Sequence, residues 1–306
     1  MTGEAGRAPV EVVEYTDPLC PWAWGSEPVF RGLRAALAGR VRWRRVYCIL
    51  FDHDDDPAPD PAAETAWYSR YVEDIGGHTR APRAFRLSRV AASSWPVSLV
   101  AKAAEAQGPE VADRVLRRLR ESVFVLGEPA DTPALASAAA RGVPGLDHER
   151  LVADAASAAV LHRVRADHAE ARRPVREVLS VPGGSSPHPG AAKETPDGGH
   201  RYALPTLLFR SPAGTRAVPG WRAYAEYTAA VDALEPGLSA APVPLEPAVA
   251  LARYRSLTEP ERGLLTRGAW PPADAVRVET AGGPLWLHPD EARTHPATGR
   301  GAPAAP

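Results

Sequence analysis

The order of apolar and polar positions along the chain predicts a mixed α/β fold. Val10 to Tyr15 is a short apolar and β-branched segment, as in a buried strand. Residues 21–38 carry apolar side chains on one side of a predicted helix, which Gly39 can end. Val41 to Leu50 predicts a second strand. The beginning of the chain is therefore predicted to form a βαβ unit.

The middle of the chain is predicted to be helical. Residues 52–61 are acidic and rich in proline, so we expect a loop there. Residues 62–180 give a run of helical patterns, and within it Pro109 to Leu126 places apolar residues on one face, with Arg and Glu expected outside. Residues 181–200 contain Gly, Pro and Ser without periodicity, which predicts a mobile surface loop.

Strand character then returns in the second half of the chain. Tyr202 to Arg210 and Thr215 to Val218 flank a turn, and Arg222 to Leu234 predicts a helix. The complete order is βαβ, a helical insertion and then ββα. We accordingly predict a sheet formed by residues 9–61 and 200–234, with the insertion over residues 62–180.

Residues 241–290 predict a small α/β extension. Thr258 to Glu261 fits a capping box, and Val276 to Thr280 with Leu285 to His288 predicts a hairpin. Two helices and a hairpin are also found in winged DNA-binding units. However, residues 241–306 contain seven Arg, no Lys and seven acidic residues, so we expect no nucleic-acid partner.

Composition narrows the class of protein further. The 306 residues carry a formal net charge of −1, and only two are cysteines, so a secreted disulfide scaffold is not expected. The N-terminus lacks the apolar run of a signal peptide, and we expect no membrane-spanning segment. The sequence therefore predicts a cytoplasmic protein without a membrane partner.

The candidate chemistry lies where the first strand meets the first helix. Cys20 precedes Pro21, and proline is favoured in the first turn of a helix. A cysteine at a helix N-terminus is close to unpaired backbone N–H groups, which favour its thiolate. We therefore predict that Cys20 is a nucleophile whose pKa lies below that of a free thiol.

The sequence from Cys20 to Ala23 resembles the C-P-x-C motif of DsbA-like proteins in the thioredoxin superfamily, with their FrnE-like and kappa-class relatives. Pro28 matches the proline that often kinks the helix of these proteins. The sequence Leu204-Pro205-Thr206 is similar to their x-P-T loop. The resemblance covers about residues 9–234 and implies a thioredoxin fold, with Pro205 in cis and close to the active-site cysteine.

Ala23 departs from the family pattern, because a second cysteine is usual at this position. A small thiol such as glutathione or mycothiol could release a Cys20 adduct instead, as a co-substrate and without a bound cofactor. This reading predicts a single-cysteine thiol-disulfide oxidoreductase that acts on a thiol or disulfide, either a small molecule or a protein.

Two other functions stay open. The kappa-class glutathione transferases and related isomerases use a bound thiol cofactor, and this chain resembles them too. The residues Thr16 to Cys20, Trp24 and Glu27-Pro28 also resemble thioredoxin-like adaptors that deliver a regulator to the ClpXP protease.

The resemblance assigns roles to eight residues. Cys20 is the expected catalytic residue, and the remaining motif positions are Pro21, Trp22 and Ala23. The expected substrate-binding or thiol-binding residues are Trp24, Leu204, Pro205 and Thr206.

Other candidate residues are given structural interpretations. Cys48 is expected to be a buried apolar residue. His53 and the three aspartates after it are expected to form a solvated loop without a metal. Trp67, Tyr68, Tyr71 and Trp95 are expected to pack in the core, although they could line a groove.

Overall fold

A computed structural model describes residues 10–52, 60–179, 186–188, 190–195, 198–239 and 241–299. The elements of the sheet unit and of its helical insertion are β1 (Val10–Thr16), α1 (Pro21–Ala36), β2 (Val41–Tyr47), α2 (Pro61–Thr79), α3 (Trp95–Ala104), α4 (Pro109–Phe124), α5 (Pro133–Ala140), α6 (His148–Ala155), α7 (Ala158–Ala171), α8 (Arg176–Leu179), β3 (Ala192–Glu194), β4 (His200–Tyr202), β5 (Thr206–Ser211), β6 (Gly214–Pro219) and α9 (Tyr224–Asp232). The tail contains α10 (Pro247–Tyr254), β7 (Ser256–Thr258), α11 (Glu259–Leu265), β8 (Val276–Val278), β9 (Leu285–Leu287), α12 (Pro289–Ala292) and α13 (Pro296–Gly299).

The central sheet has four strands in the order β2-β1-β5-β6. Strand β2 is parallel to β1, while β5 is antiparallel to both β1 and β6. Successive side chains of a strand point to opposite faces. Val12 therefore packs against α1 and α9, whereas Val13 packs on the face that contains Cys20. This is a thioredoxin fold, as the element order predicts.

The helices α2 to α8 are inserted between the two halves of this sheet. The apolar residues of α3 to α7 form a core that also includes Leu19 and Trp24 from the sheet unit. In the ranges described by the structure, no helix is both long and apolar enough to cross a membrane.

Strand β2 and the segment before β5 differ from the sequence-based expectations. Strand β2 ends at Tyr47 rather than Leu50, because a carboxylate oxygen of Asp17 accepts a hydrogen bond from the Leu50 backbone N–H at 2.7 Å. Helix α1 ends at Ala36 rather than residue 38. The loop predicted over residues 181–200 contains strand β3 and the first residue of β4, and these two strands pair as an antiparallel hairpin. That part of the loop prediction is wrong.

The tail forms its own three-stranded sheet in the order β7-β9-β8. The predicted hairpin is confirmed, since β8 and β9 are antiparallel. The predicted capping box is also confirmed: Thr258 Oγ1 accepts a hydrogen bond from the Glu261 N–H, and the Glu261 side chain accepts one from the Thr258 N–H.

The contact between α4 and the tail corrects the sequence analysis. Arg117, Arg118, Arg120 and Glu121 were expected outside but are buried. Arg117 forms two hydrogen bonds to the Glu261 carboxylate, at 2.8 and 3.0 Å. The tail therefore covers the polar side of α4. The acidic loop around His53 lies outside the described residues.

Candidate functional site

Cys20 is the residue that immediately precedes helix α1, and its backbone is extended, with φ −83° and ψ 117°. Pro21 begins the helix and Pro28 lies within it. Asp17 fixes the segment before the cysteine, because its carboxylate accepts hydrogen bonds from the backbone N–H groups of Leu19 and Leu50, at 2.8 and 2.7 Å. The ends of β1 and β2 are thereby held together next to Cys20.

The x-P-T loop from the second half of the fold reaches the same place. The Leu204-Pro205 peptide bond is cis, as predicted. The Cys20 Sγ lies 3.8 Å from the carbonyl oxygen of Leu204, to which the thiol donates a weak hydrogen bond. Thr206 is buried, and its hydroxyl donates to the carbonyl oxygen of Ala203 at 2.6 Å. Two segments separated by the whole insertion therefore meet at the thiol.

The predicted direction of the Cys20 pKa shift is wrong. Burial raises the pKa of the Cys20 thiol to about 11, because the side chain is shielded from water. The backbone N–H groups of Ala23 and Trp22 and the charge of Arg120 favour the thiolate, whereas the negative charge of Asp17 opposes it. The helix N-terminus thus acts in the expected direction, but its effect is smaller than that of burial.

His188 is a part of the site that the sequence analysis missed. Its Nδ1 accepts a hydrogen bond from the Gly190 backbone N–H at 2.8 Å, so its proton is on Nε2, which donates to the Leu204 carbonyl oxygen at 2.8 Å. The ring packs edge-on against Trp22, with 5.0 Å between ring centroids. Burial lowers the pKa of His188 to about 4. This histidine is therefore neutral near pH 7 and holds the x-P-T loop rather than activating the thiol.

Cys20 lies on the wall of a cavity of about 270 Å³. One side of the cavity is aromatic: Trp67 stacks on Tyr71 at a centroid distance of 5.6 Å, and the Trp22 indole N–H donates to the Tyr71 hydroxyl at 3.0 Å. The cavity is lined by Cys20, Pro21, Trp22, Leu50, Phe51, Glu64, Trp67, Tyr68, Tyr71, Val90, His188, Lys193, Arg201 and Leu204. Its size and lining suit a small organic molecule.

The cavity includes only some of the residues that the sequence analysis selected. Cys20, Pro21, Trp22 and Leu204 line it, whereas Ala23, Pro205 and Thr206 do not. Ala23 is completely buried in the first turn of α1.

Trp24 is not on the cavity wall, contrary to the expected binding role. Its indole N–H donates to the Pro82 carbonyl oxygen at 2.8 Å, and its ring stacks on Phe124. Because Trp24 follows Trp22 by two residues, the two side chains leave helix α1 on different faces.

The aromatic residues of the insertion divide in the same way. Trp67, Tyr68 and Tyr71 do line the cavity, so the groove alternative describes them better than core packing alone. Trp95 does not, and packs against His168 instead.

Cys48 is buried next to this site without lining the cavity. Its thiol lies 3.4 Å from the carbonyl oxygen of Val46, and burial raises its pKa well above the ordinary value. Both cysteines are free thiols. The expectation that Cys48 is an apolar core residue is confirmed.

Lys193 and Arg201 are further cavity residues that the sequence analysis missed. They lie directly opposite each other on β3 and β4. Lys193 is one of two lysines in a chain in which nearly all positive charge is arginine, and this rarity was the only local signal.

The sheet, the cysteine at the start of the first helix and the cis-proline loop against its sulfur define a thioredoxin-fold protein. Residues 14–173 match the family model Thioredoxin_5, described as thioredoxin. Because the match covers just over half of the chain, the chain belongs to this thioredoxin family.

Solved structures agree on the fold. A structure described as a candidate protein disulfide isomerase from Nitrosomonas europaea is 15% identical, with a TM-score of 0.56, and the alignment covers 73% of this chain and 96% of that one. A DsbA-type oxidoreductase structure from Streptomyces coelicolor is 19% identical, with a TM-score of 0.50, over 77% of this chain and 93% of that one. At these sequence identities, the structural similarity establishes a shared fold and no more.

Curated relatives include proteins named as adapters. The ClpXP adapter protein SpxH of Shouchella clausii is 27% identical over 164 residues, which is 53% of each chain. The protein of the same name from Bacillus subtilis is 26% identical over 119 residues, covering 39% of this chain and 40% of that protein. The chain thus spans about half or less of the length of these curated relatives.

Proposed function

We propose that this protein is a thiol-disulfide oxidoreductase that works through Cys20 alone and depends on a small thiol to complete its cycle. The observation that carries the proposal is the position of Cys20, which lines a ligand-sized cavity and has its sulfur against the cis-proline loop. Ala23 supplies no second sulfur, and Cys48 lies outside the cavity lining. The second thiol of the cycle must then come from solution.

The reaction has two exchange steps. In the first, the Cys20 thiolate attacks a disulfide RSSR′, forming a Cys20–S–S–R adduct and releasing R′S⁻, which takes up the proton that Cys20 lost. In the second, a small thiol RSH loses its proton and attacks the R sulfur, giving RSSR and returning the proton to Cys20. One disulfide is reduced and one is formed. We place this cycle in the cytoplasm, where small thiols are in excess.

The raised pKa of Cys20 favours the direction of reduction. A strongly oxidising DsbA-type site stabilises its reduced thiolate. Here burial destabilises the thiolate, so the bonded sulfur of an adduct is favoured relative to the free anion. A thiol of high pKa is also a poor leaving group, so the adduct is expected to persist long enough to be detected.

The test is to incubate the protein with oxidised glutathione or mycothiol disulfide and to measure its intact mass. The expected product is a single adduct on Cys20 that a small thiol removes. Cys48→Ser should still form the adduct, and Cys20→Ser should not. An adduct confined to Cys48, or none in the wild type, would contradict the proposal.

A second candidate function is that of a protease adaptor, which the similarity to the SpxH proteins favours. An adaptor needs its surface rather than a reactive sulfur. The two functions therefore predict different effects of Cys20→Ala: an adaptor should tolerate the substitution, whereas an oxidoreductase should lose its activity. The measurement is the rate at which ClpXP degrades a client regulator with the wild type or with this variant. Acceleration that is equal for both would favour the adaptor.

A further inference from the structure

Two cations on the β3-β4 hairpin face the cavity that contains Cys20. Lys193 and Arg201 are a directly opposed cross-strand pair, and both line the cavity. Like charges at such positions repel each other and destabilise the hairpin. Partial burial, and to a smaller extent the charge of Arg201, lowers the pKa of Lys193. The hairpin therefore pays an energetic cost for holding both cations beside the thiol.

No carboxylate of the described residues lies within salt-bridge distance of either cation. The only hydrogen bond from the Arg201 guanidinium among them goes to the Tyr202 carbonyl oxygen at 3.1 Å. Charged groups in a partly buried site are normally paired, so this arrangement leaves capacity for an anion.

The remaining titratable groups of the cavity determine what kind of anion fits. His188 is neutral near pH 7, and the Cys20, Tyr68 and Tyr71 side chains are kept protonated by burial, which raises the pKa of each. Glu64, on helix α2, is the carboxylate of the lining. The cavity thus has two cations on the hairpin, one anion on α2 and a thiol between aromatic walls.

We propose that Lys193 and Arg201 form a carboxylate-binding subsite, which selects amino-acid-derived thiols and disulfides over neutral ones for reaction at Cys20. A carboxylate of the ligand binds the hairpin cations, and Glu64 accepts the ammonium group of the same ligand. A sugar-based thiol without a carboxylate or an ammonium group can pair neither with the hairpin cations nor with Glu64. This assignment rests on the proposed function, because it names the ligand class that the Cys20 cycle uses.

The subsite can be tested without the reaction. S-methylglutathione carries two carboxylates and an ammonium group, but its sulfur is blocked and cannot exchange. We expect calorimetry to show binding to the wild type, and binding at least about tenfold weaker to Lys193→Gln/Arg201→Gln, which loses two charge-assisted hydrogen bonds. The matched control is Arg216→Gln, which removes an exposed cation on β6, away from the cavity lining, and should leave the affinity unchanged.

The outcomes separate this inference from the proposed function. Equal affinity in the double variant and the wild type overturns the subsite, whether or not Cys20 exchanges. If inorganic phosphate displaces S-methylglutathione as effectively as a simple carboxylate does at the same ionic strength, the assignment of the subsite to carboxylates is wrong. If binding requires the hairpin cations but Cys20 undergoes no thiol exchange, the proposed subsite stands and the proposed oxidoreductase function is wrong.

Selectivity is then measured in the exchange reaction. Oxidised glutathione should modify Cys20 faster than the neutral bis(2-hydroxyethyl) disulfide, and the double variant should lose this difference by slowing only the anionic disulfide. An equal slowing of both disulfides would contradict the inference, because it would indicate damage to the thiol rather than to recognition.

Discussion

Helix α1 borders two interiors of opposite character. At its N-terminal end, Cys20 and Trp22 face a cavity with aromatic walls. Further along the same helix, Glu27 and Arg31 enter a cluster of buried ion pairs that also contains side chains of α4 and the tail. One helix therefore supplies both a reactive group with space in front of it and charges that form ion pairs with neighbouring side chains.

The two interiors therefore have different roles: the ion-pair cluster is structural, whereas the cavity at Cys20 is suited to binding. In the ion-pair cluster, the charged groups are paired with opposite charges: Arg117 bonds to Glu121 and Glu261, and Glu121 also contacts His295 at 2.9 Å. In the cavity, a thiol and two like charges stand beside open volume, so that a ligand would complete the contacts.

The largest expected effect comes from opening the ion-pair cluster. Arg117→Ala leaves Glu121 and Glu261 buried with fewer partners, and breaking a buried pair in this way typically costs about 3–5 kcal/mol. We expect a loss of this size in the free energy of unfolding, measured by urea denaturation. Because the tail contributes Glu261, the loss should also appear as increased proteolysis of the tail.

The matched control is Arg267→Ala, in the same tail. Its pairing with Glu246 is exposed on both sides, so about 0–1 kcal/mol should be lost. If both variants lose the same amount, the buried cluster does not hold the tail in the way described.

The second effect concerns the acidity of the thiol. In a Cys48→Ser background, the rate of Cys20 alkylation by iodoacetamide should rise with pH toward a midpoint near 11, because burial opposes the thiolate. The denatured chain should show a midpoint near the free-thiol value of about 8.5.

Since the pKa of Cys20 is higher in the folded protein, the unfolded chain loses the thiol proton at a lower pH. The contribution of this group to stability is therefore complete below pH 8.5 and falls as the pH rises toward 11. A midpoint below 8.5 in the folded protein would restore the original sequence-based prediction.

The elements of the fold were largely predictable because their signals are local. Apolar runs mark β1 and β5, and the cysteine and x-P-T motifs stand out in the sequence itself. The burial of Arg117 and Arg120 was not predictable, because a charged helix face looks solvated until the segment that covers it is known. Those covering partners are supplied by residues more than a hundred positions away.

The same limit applies to the site. His188 lies between prolines in a segment without periodicity, and its role depends on a carbonyl group that is brought to it by the cis-proline loop. The pKa of Cys20 depends on two effects of opposite sign. The helix N-terminus is visible in sequence, but burial by the insertion is a property of the folded chain.

Restoring a second cysteine gives a smaller effect and tests the geometry of the active-site turn. Ala23→Cys places a thiol three residues after Cys20, on the side of α1 that faces back toward it. We expect an internal disulfide after mild oxidation, detected as the loss of two hydrogens in the intact mass. Because Ala23 is completely buried, the reduced variant should lose about 1–3 kcal/mol from overpacking. The same change at Ala35, at the other end of α1, is the control and should form no internal disulfide. Failure of Ala23→Cys to form one would contradict the alignment with the C-P-x-C motif.

The smallest effect is expected for Cys48→Ser, which separates the two thiols. Cys48 lies among apolar residues on the same face of the sheet as Cys20, but it does not reach the cavity. A serine hydroxyl can keep the contact with the Val46 carbonyl oxygen, so stability should fall by only about 1 kcal/mol. The Cys20 exchange rate should stay within about twofold of the wild-type rate, because the raised pKa of Cys48 leaves little thiolate to attack an adduct.

Peptide mapping after peroxide treatment, without reduction, provides the complementary measurement. A Cys20–Cys48 linkage in the wild type, combined with lost turnover in the variant, would make Cys48 the resolving thiol and would remove the need for a thiol from solution.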